Sequence, residues 1–205
     1  MKLTEQEKIT IKTYDDNAAV WSNKHLEFGF WKDELETFNK HLPKGKVIEF
    51  GCGSGRDAKS LSDLGYEYLG TDVSKGFLKE ARKNNPKLKF IYKTLYKLDF
   101  KQNEFAGFWA AVVFLHIPKD RMDLVLKNII NIIKPNGVGF ITVKEGVGEL
   151  LENNDVEGLK RLWSYYTLED FKNVLKQNNF KILKFYNKKV SEKTTWLIYF
   201  VKVAK

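Results

Sequence analysis

Residues 47–57 read Val47-Ile48-Glu49-Phe50-Gly51-Cys52-Gly53-Ser54-Gly55-Arg56-Asp57. Three apolar residues around a single acid are the pattern of a short buried strand. The glycines at 51, 53 and 55 leave a turn with little side-chain bulk. Positive φ angles are available there, and a ligand can lie against bare backbone. Ser54 has the chemistry to open the next helix. Strand, glycine turn and helix in that order mark the ligand-binding end of an α/β sheet.

On the N-terminal side of this stretch, residues 4–24 read as helical, with a break near Tyr14-Asp15-Asp16-Asn17. An aromatic segment with Phe28, Phe30 and Trp31 follows, then a helix over 32–41 that stops before Pro43-Lys44-Gly45. On the C-terminal side, strand one covers 46–50. Ala58, Leu61 and Leu64 at helical spacing predict a helix over 54–64, ended by Gly65. A second strand covers 66–71, and Ser74 caps a helix to 83 that Asn84-Asn85-Pro86 ends. Strand three is 88–92. The almost wholly apolar run 105–113 predicts a strand buried on both faces. A helix over 118–134 leads through Pro135-Asn136-Gly137 into strand five, 138–144. Residues 145–166 are irregular, and Thr167 caps a helix over 168–178. Two last strands, 181–190 and 194–203, are separated only by Ser191-Glu192-Lys193, too little for a parallel crossover, so they form an antiparallel hairpin. The alternation predicts an α/β fold with a doubly wound seven-stranded sheet, parallel except for that C-terminal hairpin.

Composition bounds the function classes. The chain has 205 residues, 43% hydrophobic and 30% charged, with four prolines, as expected for one globular domain over 1–205. No apolar run approaches the roughly 20 residues of a membrane span, and the polar start Met1-Lys2-Leu3-Thr4-Glu5 predicts no signal peptide. The single cysteine, Cys52, excludes an internal disulfide framework and a Cys-rich metal site, so no metal is expected and the cytoplasm is the expected compartment. The net charge of +9 is concentrated from residue 171 onward, where nine lysines stand against one acid, Glu192. Two readings of that tail stand: a basic face for nucleic acid or anionic substrates, or a solvated lysine-rich surface. None of the four arginines lies in it.

A dinucleotide site would show Gly-x-Gly-x-x-Gly, whereas here the spacing is Gly51-x-Gly53-x-Gly55 behind Glu49. This Glu-x-Gly-x-Gly-x-Gly run resembles motif I of the class I S-adenosylmethionine-dependent methyltransferases. Asp72 ends strand two, 17 residues after Gly55. Residues 105–118 are similar to the family's fourth strand and the segment after it. Residues 133–138 are similar to its Leu-Lys-Pro-Gly-Gly turn, with Asn136 in place of the first glycine. Tyr14-Asp15-x-x-Ala18-Ala19-x-Trp21 resembles the N-terminal helix that lids the cofactor. The resemblance implies a Rossmann-like fold, with 1–45 as a helical lid and 145–166 as an insertion lining the acceptor side.

It also implies a site for S-adenosylmethionine, with S-adenosylhomocysteine as product. Glu49 and the backbone of Gly51, Cys52 and Gly53 would serve the methionine part, and Asp72 the ribose, since a carboxylate offers two acceptors side by side to a vicinal diol. Val73, Thr94 and Leu95, with the Thr94-Leu95-Tyr96 turn, would flank the adenine. Ala111 and Val112 would lie near the methionine, and Tyr14 and Trp21 would cover its sulfonium or carboxylate end. Arg56 has two readings, a partner of the methionine carboxylate or an exposed residue of the first helical turn. Cys52 reads as packing, since only a small residue suits its position.

In-line methyl transfer needs alignment and exclusion of water more than acid–base chemistry. A base matters only where the acceptor loses a proton. His116, just after strand four, and Glu145, at the end of strand five, are the candidate catalytic residues. For each the alternative is structural: packing for His116, an exposed acid for Glu145. His25 and His41 lie outside the motifs. Arg161-Leu162-Trp163-Ser164-Tyr165-Tyr166 resembles a Gly-Arg-x-Phe-x-x-Tyr stretch of small bacterial methyltransferases, with Lys160 in place of the glycine and Trp163 of the aromatic. Trp31, Arg161, Tyr165 and Tyr166 are the candidate acceptor contacts, or else anchors of the insertion to the sheet. The sequence thus points to methyl transfer to a small molecule. An RNA acceptor held by the lysine-rich face and a non-catalytic cofactor-binding protein are the rival readings.

Overall fold

The computed structural model describes residues 2–24, 29–152 and 159–205. In chain order its elements are α1 (Glu5–Asp16), α2 (Ala18–Lys24), α3 (Lys32–His41), β1 (Lys46–Phe50), α4 (Ala58–Asp63), β2 (Glu67–Asp72), α5 (Lys75–Asn84), β3 (Lys89–Tyr92), β4 (Phe105–Ala110), α6 (Met122–Ile132), β5 (Ile133–Lys144), β6 (Glu149–Glu152), β7 (Arg161–Ser164), α7 (Leu168–Gln177), β8 (Phe180–Ser191) and β9 (Thr194–Val203). Seven strands form one sheet in the order β3-β2-β1-β4-β5-β9-β8, and β6 pairs with β7 separately. The strands from β1 to β5 are mutually parallel, whereas β9 runs antiparallel to both of its neighbours. Of the closing hairpin, therefore, only β9 is reversed.

The chain leaves β1 in one direction, through β2 and β3, and returns to its other side with β4 and β5. That reversal between β1 and β4 opens a crevice beyond the carboxyl ends of the strands, where α/β sheets bind ligands. Period-two alternation divides the sheet's side chains between two cores. Ile48, Phe108, Ile141 and Tyr199 face α6 and α7 with Leu126, Ile129 and Phe171. Val47, Trp109, Phe140 and Phe200 face α3, α4 and α5 with Phe38, Leu61 and Ala81. Trp109 stacks on Phe140 at 3.8 Å between ring centroids.

Several boundaries differ from expectation for identifiable reasons. Ser54 does not open a helix, because the left-handed turn runs on through Gly55; α4 starts only at Ala58. β4 ends at Ala110, not at 113, because Val112 takes φ +60° and turns the chain out of the sheet. A short 3-10 turn over Lys119–Arg121 precedes α6, which ends at Ile132, and β5 already pairs from Ile133, slipping register before Gly107↔Val138. Within 145–166, Glu149–Glu152 and Arg161–Ser164 form an antiparallel pair that the sequence pattern did not announce. Phe28 and His25 lie outside the described residues.

The N-terminal helices are anchored at three places. Thr4 and Glu7 form a reciprocal capping box at the start of α1. The Asp15 carboxylate accepts from Ser74 Oγ at 2.7 Å and from the Gly76 N–H at 3.0 Å, tying the end of α1 to the start of α5. Thr13 Oγ1 donates to the Lys160 carbonyl and Leu162 N–H to Thr10 Oγ1, both at 2.8 Å, tying α1 to β7. A Cβ on Gly76 would stand 2.6 Å from the Asp15 carbonyl oxygen and 2.9 Å from Ala18 Cβ. A helical Gly→Ala change ordinarily stabilises by about 1 kcal/mol. Here Gly76→Ala should loosen α1 and α2 while leaving the sheet intact. Hydrogen exchange would show faster amides over residues 5–24 and unchanged protection in β1, β4 and β5; unchanged exchange in α1 would refute the docking.

Candidate active site

A cavity of about 590 Å³ lies in the crevice at the carboxyl ends of β1, β2, β4 and β5, under α1, α2 and β7, with the tip of the β8–β9 hairpin at its side. Its floor is the glycine turn. Gly51 has φ +63°, and a Cβ there would lie 2.6 Å from Val113 Cγ2, so both conformation and space require glycine. Gly53 has φ +52° and faces the cavity, and its N–H donates to Asp72 Oδ2 at 2.8 Å. The turn is held from behind by α5 and the residue after it. Asn84 Nδ2 donates to the Ser54 carbonyl at 3.0 Å and Asn85 Nδ2 to the Gly55 carbonyl at 2.9 Å.

Asp72 comes off the end of β2, and its Oδ1 accepts the Ser74 N–H at 2.8 Å. Each carboxylate oxygen thus holds one backbone donor and keeps acceptor capacity toward the cavity. Burial pushes its pKa up, against the pull of the backbone bonds from Ser74, Gly53 and Val73. Glu49, on the α3–α5 face of β1, is buried and accepts the Tyr68 hydroxyl. Burial first, then the nearby Asp57, pushes its pKa well up. Asp57 is paired with Arg56 Nε at 2.9 Å and accepts Trp109 Nε1–H at 3.1 Å, while the Arg56 guanidinium lies 5.4 Å over the Phe30 ring. Arg56 is therefore in the cavity wall, not out in solvent. The Cys52 thiol is buried and pushed well up by burial, Asp72 and Glu49, which keeps it protonated and unreactive.

On the opposite wall Tyr14, His116 and Arg161 converge from α1, the turn after β4, and β7. His116 Nδ1 lies 2.6 Å from the Leu162 carbonyl, which can only accept, so this nitrogen carries the proton. In the neutral ring Nε2 is then the acceptor, and the Tyr14 hydroxyl, 2.8 Å away, donates to it. Arg161 Nη1 in turn donates to the Tyr14 oxygen at 2.9 Å. Tyr14 also packs edge-on to Trp21, with ring centroids 5.9 Å apart.

The cavity lining brings together Tyr14, Trp21, Glu49, Gly51, Cys52, Gly53, Arg56, Asp72, Val73, Thr94, Leu95, Ala111, Val112, His116 and Arg161. Four expected residues are elsewhere. Glu145 is exposed and off the cavity, because alternation along β5 turns Lys144 inward instead. Trp31 is wholly buried in the core against Phe140, so it is packing and not an acceptor contact. Tyr166 is buried against Phe171 on the other face of the sheet. Tyr165 stacks behind Trp163 and donates to Glu152 Oε1 at 2.5 Å. Lys144 and Phe77 line the cavity without having been expected, and Trp163 lines it too. The inward turn of Lys144 was open to reading from the alternation of β5. Val112 N–H donates to Thr142 Oγ1 at 2.8 Å, which holds its left-handed turn in place.

A family model described as a methyltransferase domain matches residues 47–137. An uncharacterized protein of Methanocaldococcus jannaschii is 29% identical over 146 residues, covering 69% of this chain and 62% of that protein. A ubiquinone biosynthesis O-methyltransferase of Rickettsia typhi is 22% identical over 152 residues, covering 66% of this chain and 60% of that enzyme. The chain thus spans about three fifths of the length of these curated relatives. Among solved structures, the Burkholderia thailandensis 1,6-didemethyltoxoflavin-N1-methyltransferase, with S-adenosylhomocysteine bound, superposes with a TM-score of 0.76 at 18% identity, covering 100% of this chain and 93% of that one. The matched residues 47–137 include the glycine turn and Asp72, and the likeness to the solved methyltransferase structure is one of fold. No helix among the described residues is long and apolar enough to cross a membrane.

The raised pKa of Glu49 has a signed consequence. A folded-state pKa above the unfolded one means that the native state binds more protons, so stability falls as pH rises from the ordinary glutamate value through the raised one. Glu49→Gln keeps an acceptor for Tyr68 and removes the buried charge. The variant should match the parent near pH 4 and become progressively more stable than it toward neutrality, as read from urea midpoints; parallel pH profiles would refute the assignment.

Proposed function

We propose that this chain is an S-adenosylmethionine-dependent methyltransferase whose acceptor is a small molecule. The observation that carries the reading is Asp72 at the lip of the glycine turn, with acceptor capacity on both oxygens facing a covered cavity. S-adenosylmethionine supplies the activated methyl group. Asp72 takes the ribose hydroxyls, Val73, Thr94 and Leu95 wall the adenine, and Gly51, Gly53 and Ala111 leave room for the methionine part. The cavity's volume is in the range of about 300–1,000 Å³ usual for small-molecule sites. Residues 1–45 serve as its lid and 145–166 as its acceptor-side wall. A cytoplasmic setting is part of the proposal and rests on the single cysteine of the sequence.

Where the acceptor gives up a proton, Tyr14 faces it and His116 stands behind. The acceptor's proton passes to the Tyr14 oxygen as the phenolic proton passes to His116 Nε2, leaving an imidazolium whose Nδ1–H stays on Leu162. The lysine-rich tail gives less support to an RNA acceptor, because several of its cations are engaged within the fold. Lys188 pairs with buried Glu34 at 3.0 Å and Lys172 with Glu169 at 2.8 Å. Exposed lysines on the edge strand β8 also guard it against pairing with other chains.

Loss of two hydrogen bonds to a charged acceptor is worth about 3–6 kcal/mol. Asp72→Ala should therefore weaken S-adenosylhomocysteine binding by about a hundredfold or more in calorimetry; near-parental affinity would sink the ribose assignment. Tyr14→Phe should lower turnover by about a hundredfold while changing S-adenosylhomocysteine affinity less than threefold. Undiminished turnover would remove Tyr14 and His116 from the chemistry.

A further inference from the structure

Away from the glycine turn the cavity is bounded by the ends of β5 and β9. β5 stops at Lys144, opposite Trp196 of β9, and the Glu145 N–H closes that pairing on the Thr195 carbonyl at 2.9 Å. The β8–β9 hairpin runs on past this point, so its tip stands beside the cavity. On its other side Trp196 is opposite Lys188 of β8. Residues directly opposite one another in a ladder share a face, so Lys188, Trp196 and Lys144 form one row with the indole in the middle. The outer members of the row reach two further rings. Lys188 Nζ lies 5.4 Å from the centre of Phe30, and Lys144 Nζ lies 4.6 Å from that of Trp163. Phe30, Trp196 and Trp163 all line the cavity. Phe30 also packs on Trp31, and Trp163 on Tyr165. Trp196 differs: among the described residues no ring stacks on it and no cation lies over it. The hairpin adds an apolar edge. Between Lys189↔Thr195 and Ser191↔Thr194 the ladder slips register, and Val190 is the extra residue. A bulge of this kind re-aims a side chain. Here it sets an apolar residue of a lysine-rich edge strand against the cavity, where Val190 is 41% exposed.

We infer that the methyl acceptor carries a flat aromatic ring, which stacks on the Trp196 indole between Phe30 and Trp163 and has Val190 at its outer edge. This deepens the functional reading above and rests on it. Ring stacking adds about two- to tenfold in affinity to what area burial gives, and a puckered body cannot collect that gain. A ring in this place also takes from water the apolar surface that Val190 leaves exposed. The sheet order puts β5 between the indole and the end of β4. The body of the acceptor therefore lies at the hairpin, and its methylated substituent points back toward β4 and Tyr14. Trp196 and Val190 are then the positions that set which acceptors fit.

The test is binding, read by calorimetry on the full chain saturated with S-adenosylhomocysteine, which keeps the probes out of the adenine pocket. 2-Naphthol is compared with trans-decahydro-2-naphthol, which has the same carbon skeleton and hydroxyl but a puckered body. 2-Naphthol should bind tighter by about fivefold or more. Trp196→Leu should erase that preference, and Val190→Glu, which sets a charge against the ring's edge, should weaken 2-naphthol by about tenfold. Equal binding of the two alcohols, tighter binding of the saturated one, or binding of neither overturns the inference without relying on any variant. A preference undiminished in Trp196→Leu, or 2-naphthol binding undiminished in Val190→Glu, puts the ring elsewhere in the cavity and also overturns it. Failure of S-adenosylhomocysteine to bind the parent protein would instead refute the functional reading, and this inference with it.

Discussion

The 2.8 Å hydrogen bond from Gly53 N–H to Asp72 joins the turn after β1 to the end of β2, and the ligand end of the sheet is organised around it. A backbone donor can point at that carboxylate only if the turn is left-handed at Gly51 and Gly53, which is why glycine stands there. The same carboxylate accepts from Ser74 and so fixes where α5 begins. From its far end, α5 returns Asn84 and Asn85 to the carbonyls of the turn. Strand, turn, strand and helix thus close into one hydrogen-bonded loop.

That loop is costly in charge. Asp72, Glu49 and Asp57 crowd one small region, and Arg56 lies among them as a counter-ion. The protein meets the cost differently at each acid. Asp72 is held by backbone N–H groups, Asp57 by Arg56 and the Trp109 indole, and Glu49 by Tyr68 with its pKa driven up. The functional consequence is graded availability. Asp57 is used up in packing, Glu49 is turned to Tyr68, and Asp72 alone keeps accepting capacity at the lip of the cavity.

The glycine turn, Asp72 and the closing hairpin were legible because each depends on local chemistry: glycine's φ freedom, an acid at a strand end, a connection too short to cross over. What was not legible depends on contacts distant in sequence. Ser54 reads as a helix cap, yet the left-handed turn outlasts it and leaves the helix to start at Ala58. Trp31, Tyr165 and Tyr166 read as acceptor contacts because aromatic residues are ambiguous between core and pocket, and burial against Phe140, Trp163 and Phe171 decides the matter. Glu145 drew attention as the acid at a strand end, while the one-residue alternation of β5 puts Lys144 inside. Asp15, invisible as a site residue, proves to be the clamp between α1 and α5.

Val112 shows how the two halves of the cavity are made to meet. A β-branched residue at φ +60° costs roughly 1–3 kcal/mol, more than the roughly 1 kcal/mol that its hydrogen bond to Thr142 returns. The remainder is offset by what the kink makes possible. By ending β4 at Ala110 it frees 111–117 to cross the top of the sheet, which sets Val113 against Gly51 and delivers His116 to Leu162 and Tyr14. A straight β4 through 113, as its apolar run suggests, would carry His116 past β7 and leave Tyr14 and Arg161 without their common centre. The strained residue is therefore the joint between the glycine-turn floor at Asp72 and the wall where Tyr14, His116 and Arg161 converge.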